Sequence, residues 1–306
     1  PVGAVRVRAL AVPPAWTDVW ICILDNGHIH ATGRDLRSRK QYRYHALFRE
    51  LCESSKFEHM LEFARLLPKI RARVSEHMAL RGLPREKVLA TTVHLLESTL
   101  IRVGNGDYAR RNRSYGITTL RQRHVEIEGS ELRFRFTGKG GKEWRLRLSD
   151  RRVAKIVKAC QELPGQELLQ YVDAAGERHP VTSGDVNAYL REISGADVTA
   201  KDFRTWAATV GAALALARLG AAASATEAGR NVRDVIVQVA ARLGNTPTIC
   251  RKCYVHPEII EAYAAGALVL ETGSEAEVEL RQALQSLQRE ETAVLALLRE
   301  RLRPAA

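Results

Sequence analysis

The chain has 306 residues, of which 45% are hydrophobic and 6% aromatic, so it is long enough for two domains with separate cores and is not intrinsically disordered. Its 47 lysines and arginines outnumber 35 aspartates and glutamates, giving a formal net charge of +12, which favours a polyanionic partner such as nucleic acid. The longest apolar run, residues 207–217, is too short to cross a bilayer and no signal peptide is visible, so we expect no membrane partner.

Five cysteines, an odd number spread along the chain, argue against a disulfide scaffold and for a reducing cytoplasm. Cys250 and Cys253 form a CxxC pair. A zinc site needs a second pair with its own short spacing, and the sequence contains none. We therefore expect no metal site.

The N-terminal segment has the pattern of short strands separated by turns. Residues 5–8 alternate valine with arginine, and residues 19–24 form an apolar run closed by an Asp-Asn-Gly turn, as in β-strands. We predict a small β-rich N-terminal domain, residues 1–54, that ends at a polar break over residues 52–56. Because Pro1 stands where a methionine would begin a chain, we expect the numbering to begin inside a longer polypeptide.

A basic segment follows the predicted strands. Between residues 33 and 45, cations interleave with one glutamine and two tyrosines, side chains that can contact phosphates, base edges and base faces. This interleaving favours nucleic-acid contact, although a solvated basic loop has a similar composition. The residues expected to contact nucleic acid here are Arg39, Lys40, Gln41, Tyr42, Arg43 and Tyr44.

From residue 45 the apolar residues recur with helical spacing, which predicts a mainly helical domain over residues 55–306. Pro84 suits the first turn of one helix, and Arg102 falls in the last turn of that helix, just before a Gly-Asn-Gly sequence. A cation at a helix C-terminus is stabilised by the helix dipole. The position of Arg102 therefore fits a structural role as well as a catalytic one.

Between residues 121 and 149 the hydrophobic period changes to two, which predicts a three-stranded antiparallel sheet with arginines on its outer face. A glycine-rich hairpin tip, residues 137–142, carries Lys139 and Lys142. A lysine on such a tip can reach a phosphate ester oxygen and act as a general acid. A solubilising turn lysine is the alternative.

Helical patterns dominate the rest of the chain. They cover residues 152–162, 183–193, 199–219 and 225–243. In the third helix, Thr199 and Asp202 resemble a capping box, which puts Lys201 and Arg204 in the first turn, where the dipole opposes cations. An anion bound at the free amide groups would explain this placement.

A connector punctuated by glycine and proline, residues 243–257, contains one tyrosine, Tyr254. With cationic donors around a phosphate, its phenol could act as a nucleophile. Taken alone, a tyrosine in such a connector is better interpreted as a surface residue. Further on, Ser274 and Glu277 form a possible capping box for a long C-terminal helix. We expect this helix to pack on the body of the protein or against another chain.

Five segments, in the same order, resemble the signatures of bacterial, poxvirus-like type IB DNA topoisomerases, particularly those of the Deinococcus type. They are Leu-Ile-Arg-Val-Gly-Asn at residues 100–105, Tyr-Gly-Ile-Thr-Thr-Leu-Arg at 115–121, Phe-Thr-Gly-Lys at 136–139, Lys-Asp-Phe-Arg-Thr-Trp at 201–206, and Leu-Gly-Asn-Thr-Pro through Tyr254 at 243–254. The Gln-Tyr-Arg-Tyr sequence at 41–44 resembles the DNA-contacting part of the N-terminal domain in these enzymes.

This resemblance implies an α+β protein that forms a C-shaped clamp around duplex DNA, with a catalytic core similar to that of tyrosine recombinases. Tyr254 would attack the scissile phosphodiester and form a 3′-phosphotyrosyl link. Arg102 and Arg204 would hold the nonbridging oxygens of the transition state, and Lys139 would protonate the departing 5′ oxygen. Asn245 stands where many relatives have histidine; since asparagine does not titrate near neutral pH, we expect it to act by hydrogen bonding and shape.

The resemblance also implies relaxation of supercoiled DNA by a monomer associated with the nucleoid, without ATP, metal or another cofactor. The further DNA contacts that it implies are Lys201, Tyr108, Arg121 and Lys142. A tyrosine recombinase would use a similar catalytic set, but as a sequence-directed tetramer. The alternative outside the enzymes is a noncatalytic basic protein that binds nucleic acid.

Overall fold

The computed structural model describes residues 2–36, 38–270 and 288–302. The chain divides into two compact units, Pro1–His59 and Met60–Ala306. Both combine helices with small antiparallel sheets, as the α+β class predicted from the sequence requires. The capping box predicted at Ser274 and Glu277 lies outside the described residues.

The first unit begins with a helix. Helix α1, Val2–Ala9, covers residues 5–8, so the strand predicted there is wrong. An alternation of four residues is too short to separate strand from helix. The helix is held by Arg6, whose guanidinium donates to the Cys22 carbonyl at 2.7 Å and pairs with the Asp25 carboxylate at 3.0 Å.

A three-stranded antiparallel sheet follows α1, in the order β1-β2-β3. Its strands are β1 Thr17–Ile21, β2 Ile29–Arg34 and β3 Lys40–Tyr44. The basic segment is therefore a hairpin of β2 and β3 and not a loop. Gly33 in β2 pairs with Gln41 in β3, and a Cβ at Gly33 would lie 2.6 Å from the ring of Trp16, so the indole packs directly on the backbone of β2.

Helix α2, Ala46–Met78, runs through residues 52–56 and contains Pro68. The polar break predicted at residues 52–56 is therefore helical. Polar side chains alone do not end a helix, and this segment has no glycine or proline that would. The division between the two units falls within α2.

The second unit contains the other helices and two further antiparallel sheets in the described residues. The helices are α3 Arg85–Thr99, α4 Gly106–Asn112, α5 Arg151–Gln161, α6 Ser183–Ser194, α7 Ala200–Leu219, α8 Ala225–Leu243, α9 Pro247–Cys253, α10 Pro257–Ala264 and α11 Arg289–Arg301. The strands are β4 Val125–Glu128, β5 Glu131–Thr137 and β6 Glu143–Ser149 in one sheet, with β7 Gln170–Val172 and β8 Arg178–Pro180 in the other.

Helix α7 lies at the centre of this unit and packs against α3, α6, α8, α10 and α11. It begins where the sequence predicts, because the Asp202 carboxylate accepts the Thr199 N–H at 2.8 Å. Phe203 and Trp206 are buried on it. The indole N–H of Trp206 donates to Glu291 of α11 at 3.0 Å, and Glu291 also binds Arg71 of α2 at 2.7 Å. Helix α11 is thereby joined to the core.

The sheet β4-β5-β6 has the two faces predicted from its period of two. Leu132, Phe134, Phe136 and Trp144 are buried on one face. On the other face arginines stand directly opposite each other, Arg133 beside Arg147 and Arg135 beside Arg145. Within the described residues, no helix has the length and hydropathy of a membrane span.

Candidate active site

Arg102 lies in the loop after α3. Helix α3 ends at Thr99, and Leu100 adopts a left-handed conformation with φ of 56°, so Arg102 is not in the last turn as predicted. A left-handed residue is a common way to end a helix, but it is usually glycine. Leucine gives no such signal, so the sequence pattern does not indicate that the helix ends at Thr99.

The backbone of the Arg102 loop is fixed by the segment 115–121. The Ile117 N–H donates to the Arg102 carbonyl at 2.8 Å, and the Thr118 N–H donates to the Val103 carbonyl at 2.8 Å. A Cβ at Gly116 would lie 2.5 Å from the Arg102 carbonyl oxygen. Two segments that are separate in the sequence are therefore packed backbone to backbone, which fixes where the Arg102 side chain starts.

Arg204 is the fifth residue of α7, beyond the first turn in which the sequence analysis placed it. Its side chain is only 3% exposed. The guanidinium donates to the Leu100 carbonyl and, at 2.7 Å, to the Leu243 carbonyl. One buried cation therefore binds the C-terminal ends of α3 and α8, where carbonyl groups have no helical partner.

Burial lowers the pKa of Arg204 to about 10, with the Tyr254 phenol opposing this shift and the positive charge of Arg102 adding to it. The guanidinium carbon lies 5.5 Å from the centre of the Tyr254 ring. A cation in this position would be stabilised by an incoming anion, since the anion would offset the cost of burial.

Asn245 is positioned by the end of α8. Gly244 is left-handed with φ of 63°, and the Asn245 N–H donates to the Ala240 carbonyl at 2.9 Å, as in a Schellman motif. The Arg102 guanidinium donates to the Gly244 carbonyl at 3.2 Å and to the side-chain oxygen of Asn245. Asn245 therefore lies against Arg102.

Tyr254 stands at the C-terminus of α9, so the predicted connector contains a short helix. Its N–H donates to the Cys250 carbonyl at 3.0 Å. Its carbonyl accepts from the Thr209 hydroxyl at 3.1 Å, and this hydroxyl accepts the His256 N–H at 3.1 Å. Sequence reasoning missed Thr209; a hydroxyl within the buried stripe of α7 was the available signal.

Two buried donors at this site have no partner among the described residues: Nε of Arg204 and Nδ2 of Asn245. Buried donors are nearly always paired, and leaving one unpaired costs about 1–3 kcal/mol. Both belong to residues that contact Arg102 or the ring of Tyr254. Unsatisfied donors beside two guanidinium groups form a site that suits an oxyanion.

The predicted lysines are not joined to this group. Lys139 lies on the exposed turn Lys139–Gly141, and Lys142 and Lys201 are also exposed. Their side chains form no hydrogen bond or ion pair with any described residue. The structure therefore brings together Arg102, Arg204, Asn245 and Tyr254, and leaves the three lysines at the surface.

In the first unit, the predicted DNA-contact residues alternate between two faces of β3. Lys40, Tyr42 and Tyr44 are exposed, with the two tyrosine rings stacked 5.8 Å apart. On the other face, Gln41 donates to Asp35 at 3.0 Å, and Arg43 donates to the Ala11 carbonyl at 2.8 Å. Gln41 thus binds within the hairpin, and Arg43 binds the segment after α1.

The remaining predicted DNA contacts differ in exposure. Arg39 is paired with Asp35 at 2.6 Å. Tyr108 on α4 is 52% exposed. Arg121 is partly buried, and its guanidinium lies 5.8 Å from the centre of the Tyr115 ring.

One group among the described residues has side chains suited to a metal ion: Asp173, Glu177 and His179, on the hairpin of β7 and β8. Asp173 already accepts a hydrogen bond from His179 at 2.8 Å and from two backbone N–H groups. None of the predicted catalytic residues belongs to this group.

Comparison with known proteins agrees with the resemblance. Residues 45–279 match the family described as eukaryotic DNA topoisomerase I, catalytic core, and residues 3–35 match bacterial DNA topoisomerase IB, N-terminal domain. The chain is 29% identical over 265 residues to DNA topoisomerase 1B of Acanthamoeba polyphaga mimivirus, covering 84% of this chain and 79% of that protein. Because the first match spans more than half of the chain and includes all five predicted catalytic residues, the chain belongs to the type IB DNA topoisomerase family.

Proposed function

We propose that the protein relaxes supercoiled duplex DNA by cutting and rejoining one strand, with Tyr254 as the nucleophile. The phenol oxygen attacks the scissile phosphorus, the bond to the 5′ oxygen breaks, and the 3′ phosphate is held as a phosphotyrosine. Relaxation occurs before the 5′ hydroxyl attacks in return. Because the phosphotyrosyl bond retains the energy of the phosphodiester, rejoining requires no ATP.

The observation that carries this proposal is the pair of unsatisfied buried donors beside Tyr254. Nε of Arg204 and Nδ2 of Asn245 lack partners in the described part of the chain, and both would gain one from a phosphate oxygen. Charge accumulates on the nonbridging oxygens in the transition state, so donors already fixed in place stabilise it most. Arg102, held against Asn245, adds a second guanidinium.

Lys139 is proposed to donate a proton to the departing 5′ oxygen. Its exposed position on a glycine-rich turn leaves it free to approach DNA, and catalytic contacts often tighten only when substrate binds. Cationic side chains take the part that a metal ion plays in other phosphoryl-transfer enzymes. We expect relaxation to continue in EDTA; loss of relaxation there would contradict this part of the proposal.

The proposed DNA-binding surface of the first unit is the face of β3 that carries Lys40, Tyr42 and Tyr44. In the second unit the proposed contacts are Lys201, Tyr108, Arg121 and Lys142. Action as a monomeric clamp on DNA, association with the nucleoid and a core like that of tyrosine recombinases stay predictions. Relaxation of a plasmid by protein that remains monomeric in sedimentation would support action as a monomer and exclude a recombinase tetramer.

The test is to trap the covalent adduct. A duplex with a nick just beyond the cleavage site releases a short fragment that carries the 5′ hydroxyl, so the enzyme remains attached to the 3′ phosphate of the other fragment. We expect a shifted band on a denaturing gel and mass spectrometry that assigns the modified peptide to Tyr254. Tyr254→Phe should form no adduct while still binding DNA, and Tyr171→Phe, on strand β7, should form it normally. An adduct at another residue, or none in the wild-type protein, would overturn the proposal.

A further inference from the structure

We infer that Trp144 is a positioning residue, which holds the Lys139 turn in place against the Asn245 loop. The inference rests on the proposed function, because it concerns how the proposed general acid is presented to the site. Trp144 belongs to strand β6 and is 7% exposed.

One edge of the indole lies against the start of the turn. A Cβ at Gly138 would lie 2.6 Å from Nε1 and 2.8 Å from Cδ1 of Trp144. The φ angle of Gly138 is −96°, which any residue adopts, so the backbone conformation does not require glycine here. The indole of Trp144 requires glycine at position 138, because it occupies the space that a side chain would take immediately before Lys139.

The adjoining atoms along the same edge of the indole lie against the end of α8. A Cβ at Gly244 would lie 2.4 Å from Cζ2 and 3.1 Å from Cε2 of Trp144. Gly244 immediately precedes Asn245, and its carbonyl accepts from Arg102. A single rigid ring system therefore contacts both the backbone that leads to Lys139 and the backbone that leads to Asn245.

The indole is itself held from the sheet side. Trp144 is directly opposite Phe136 in the β5-β6 register, and the two rings are stacked with centres 6.0 Å apart. The base of the hairpin is closed by a hydrogen bond from the Gly138 N–H to the Lys142 carbonyl at 2.8 Å. The tip of the turn is exposed, but its base is fixed by the indole. A smaller side chain at position 144 would remove the indole that links the base of the hairpin to Gly244.

The consequence concerns one proton. When the P–O5′ bond breaks, the 5′ oxygen must leave as an alkoxide, which is a poor leaving group, unless Nζ of Lys139 donates a proton to it. Misplacement of the general acid by about 1 Å costs on the order of 100-fold in rate. A 5′ sulfur leaves as a stable thiolate and needs no proton, because a thiol has a pKa of only about 8.5. Loss of positioning should therefore slow oxygen substrates and spare sulfur substrates.

The experiment compares Trp144→Leu with the wild type in single-turnover cleavage of two duplexes, one with a 5′ bridging oxygen and one with a 5′ bridging sulfur. We expect about 10- to 100-fold slower cleavage of the oxygen duplex, a partial loss of the roughly 10²- to 10⁴-fold effect of a general acid, and sulfur cleavage within about threefold of the wild type. Equal slowing on both duplexes, or no slowing on either, would overturn the inference. Phe134→Leu removes a buried ring of the same sheet that touches neither glycine, and should slow the two substrates equally or not at all.

Lys139→Ala separates this inference from the proposed function. If the sulfur substrate does not restore cleavage by Lys139→Ala, the proposed general acid is wrong and the inference about Trp144 falls with it. If the sulfur substrate restores cleavage by Lys139→Ala and Trp144→Leu is not slowed on the oxygen substrate, the inference alone fails.

A double-mutant cycle adds a geometric readout: Gly138→Ala should slow oxygen cleavage in the wild-type background and have little further effect in Trp144→Leu, where the clash is gone. Full additivity of the two changes would contradict direct contact.

Discussion

The guanidinium of Arg102 donates a hydrogen bond to the side-chain oxygen of Asn245. Because a guanidinium has only donors, the amide oxygen must face it and the amide NH2 must point away. That NH2 group is buried without a partner in the described part of the chain. Asn245 therefore presents a donor to the site, with an orientation that Arg102 dictates.

Replacing Asn245 with histidine should add a titration to the reaction. Asparagine does not ionise, whereas histidine titrates near pH 6.5. We expect the cleavage rate of Asn245→His to show an inflection between pH 5 and 8 that the wild type lacks. Single-turnover rates at fixed ionic strength would measure it. An identical rate and pH profile in both proteins would mean that this position matters less than the geometry indicates.

Arg204→Lys should act as a severe change. A lysine has no fork to bind the Leu100 and Leu243 carbonyls together, and it lacks the Nε donor. We expect cleavage to fall by about 10²- to 10³-fold, as for removal of an oxyanion donor, together with a lower melting temperature. Arg218→Lys, on the exposed end of the same helix, is the matched control and should behave as the wild type. A similar loss in both variants would show a general effect on α7.

Gly116→Ala and Gly211→Ala should have opposite effects on stability. At Gly116 the new Cβ would lie 2.5 Å from the Arg102 carbonyl oxygen, so the loop must move and Arg102 with it. At Gly211, within α7, a Cβ would meet no atom within 4 Å, and alanine should stabilise the helix by roughly 0.5–1 kcal/mol. Urea denaturation measures both. A neutral Gly116→Ala would contradict the close packing of the two loops.

His124 should make the protein less stable in acid. Its pKa is lowered to about 4, first by burial and then by Arg123 and Arg121, and its Nδ1 already accepts the Arg121 N–H at 3.0 Å. The unfolded imidazole titrates near 6.5, so between pH 6.5 and 4 the unfolded chain binds a proton that the folded chain does not. Stability contributed at neutral pH is therefore lost as the pH falls through this window, by roughly 1–2 kcal/mol at pH 5.

His124→Asn tests this, because it keeps an acceptor and removes the titration. Thermal melts at pH 7 and pH 5 should show a smaller loss of stability on acidification in the variant than in the wild type. The comparison uses the change with pH, so a general destabilisation of the variant does not affect it. Equal losses in both proteins would assign the acid sensitivity to other groups.

Glu291→Ala should release α11 from the core. It would remove the Glu291 carboxylate from the Arg71 guanidinium and leave the Trp206 indole without its acceptor. Removing one partner of a largely buried ion pair costs roughly 3 kcal/mol. Arg71→Met combined with Glu291→Met should be less destabilising than Glu291→Ala alone, since it removes the buried Arg71 charge as well, and the Glu97 carboxylate that loses Arg71 is partly exposed. Glu290→Ala, exposed beside it, should have little effect in the same melts.

Much of the second unit could be predicted from its sequence. The period of two gave the sheet β4-β5-β6, and the Thr199 capping box gave the start of α7. The errors have local causes. The end of α3 depends on the left-handed Leu100, which nothing in its residue type indicates. Residues 5–8 are helical because of contacts made by Arg6 far along the chain.

The sequence indicates candidate catalytic residues but not the contacts that their side chains make. The spacing of residues cannot show that Arg204 is buried, or that its guanidinium binds the ends of two helices. Nor can it show that Trp144 contacts two glycines, Gly138 and Gly244, because the three positions are brought together only by the sheet and by α8. Of the five catalytic residues that the family resemblance selected, the structure brings together all but Lys139, and tertiary packing determines what each one touches.

The arginines that face each other across β5 and β6 give salt two opposing effects. Like charges directly opposite on a sheet repel, so counterions should stabilise the DNA-free protein by screening Arg135 from Arg145. The same ions compete with the protein for DNA phosphates and weaken binding steeply. The salt concentration that best stabilises the stored enzyme should therefore be higher than the salt concentration at which it binds DNA most tightly.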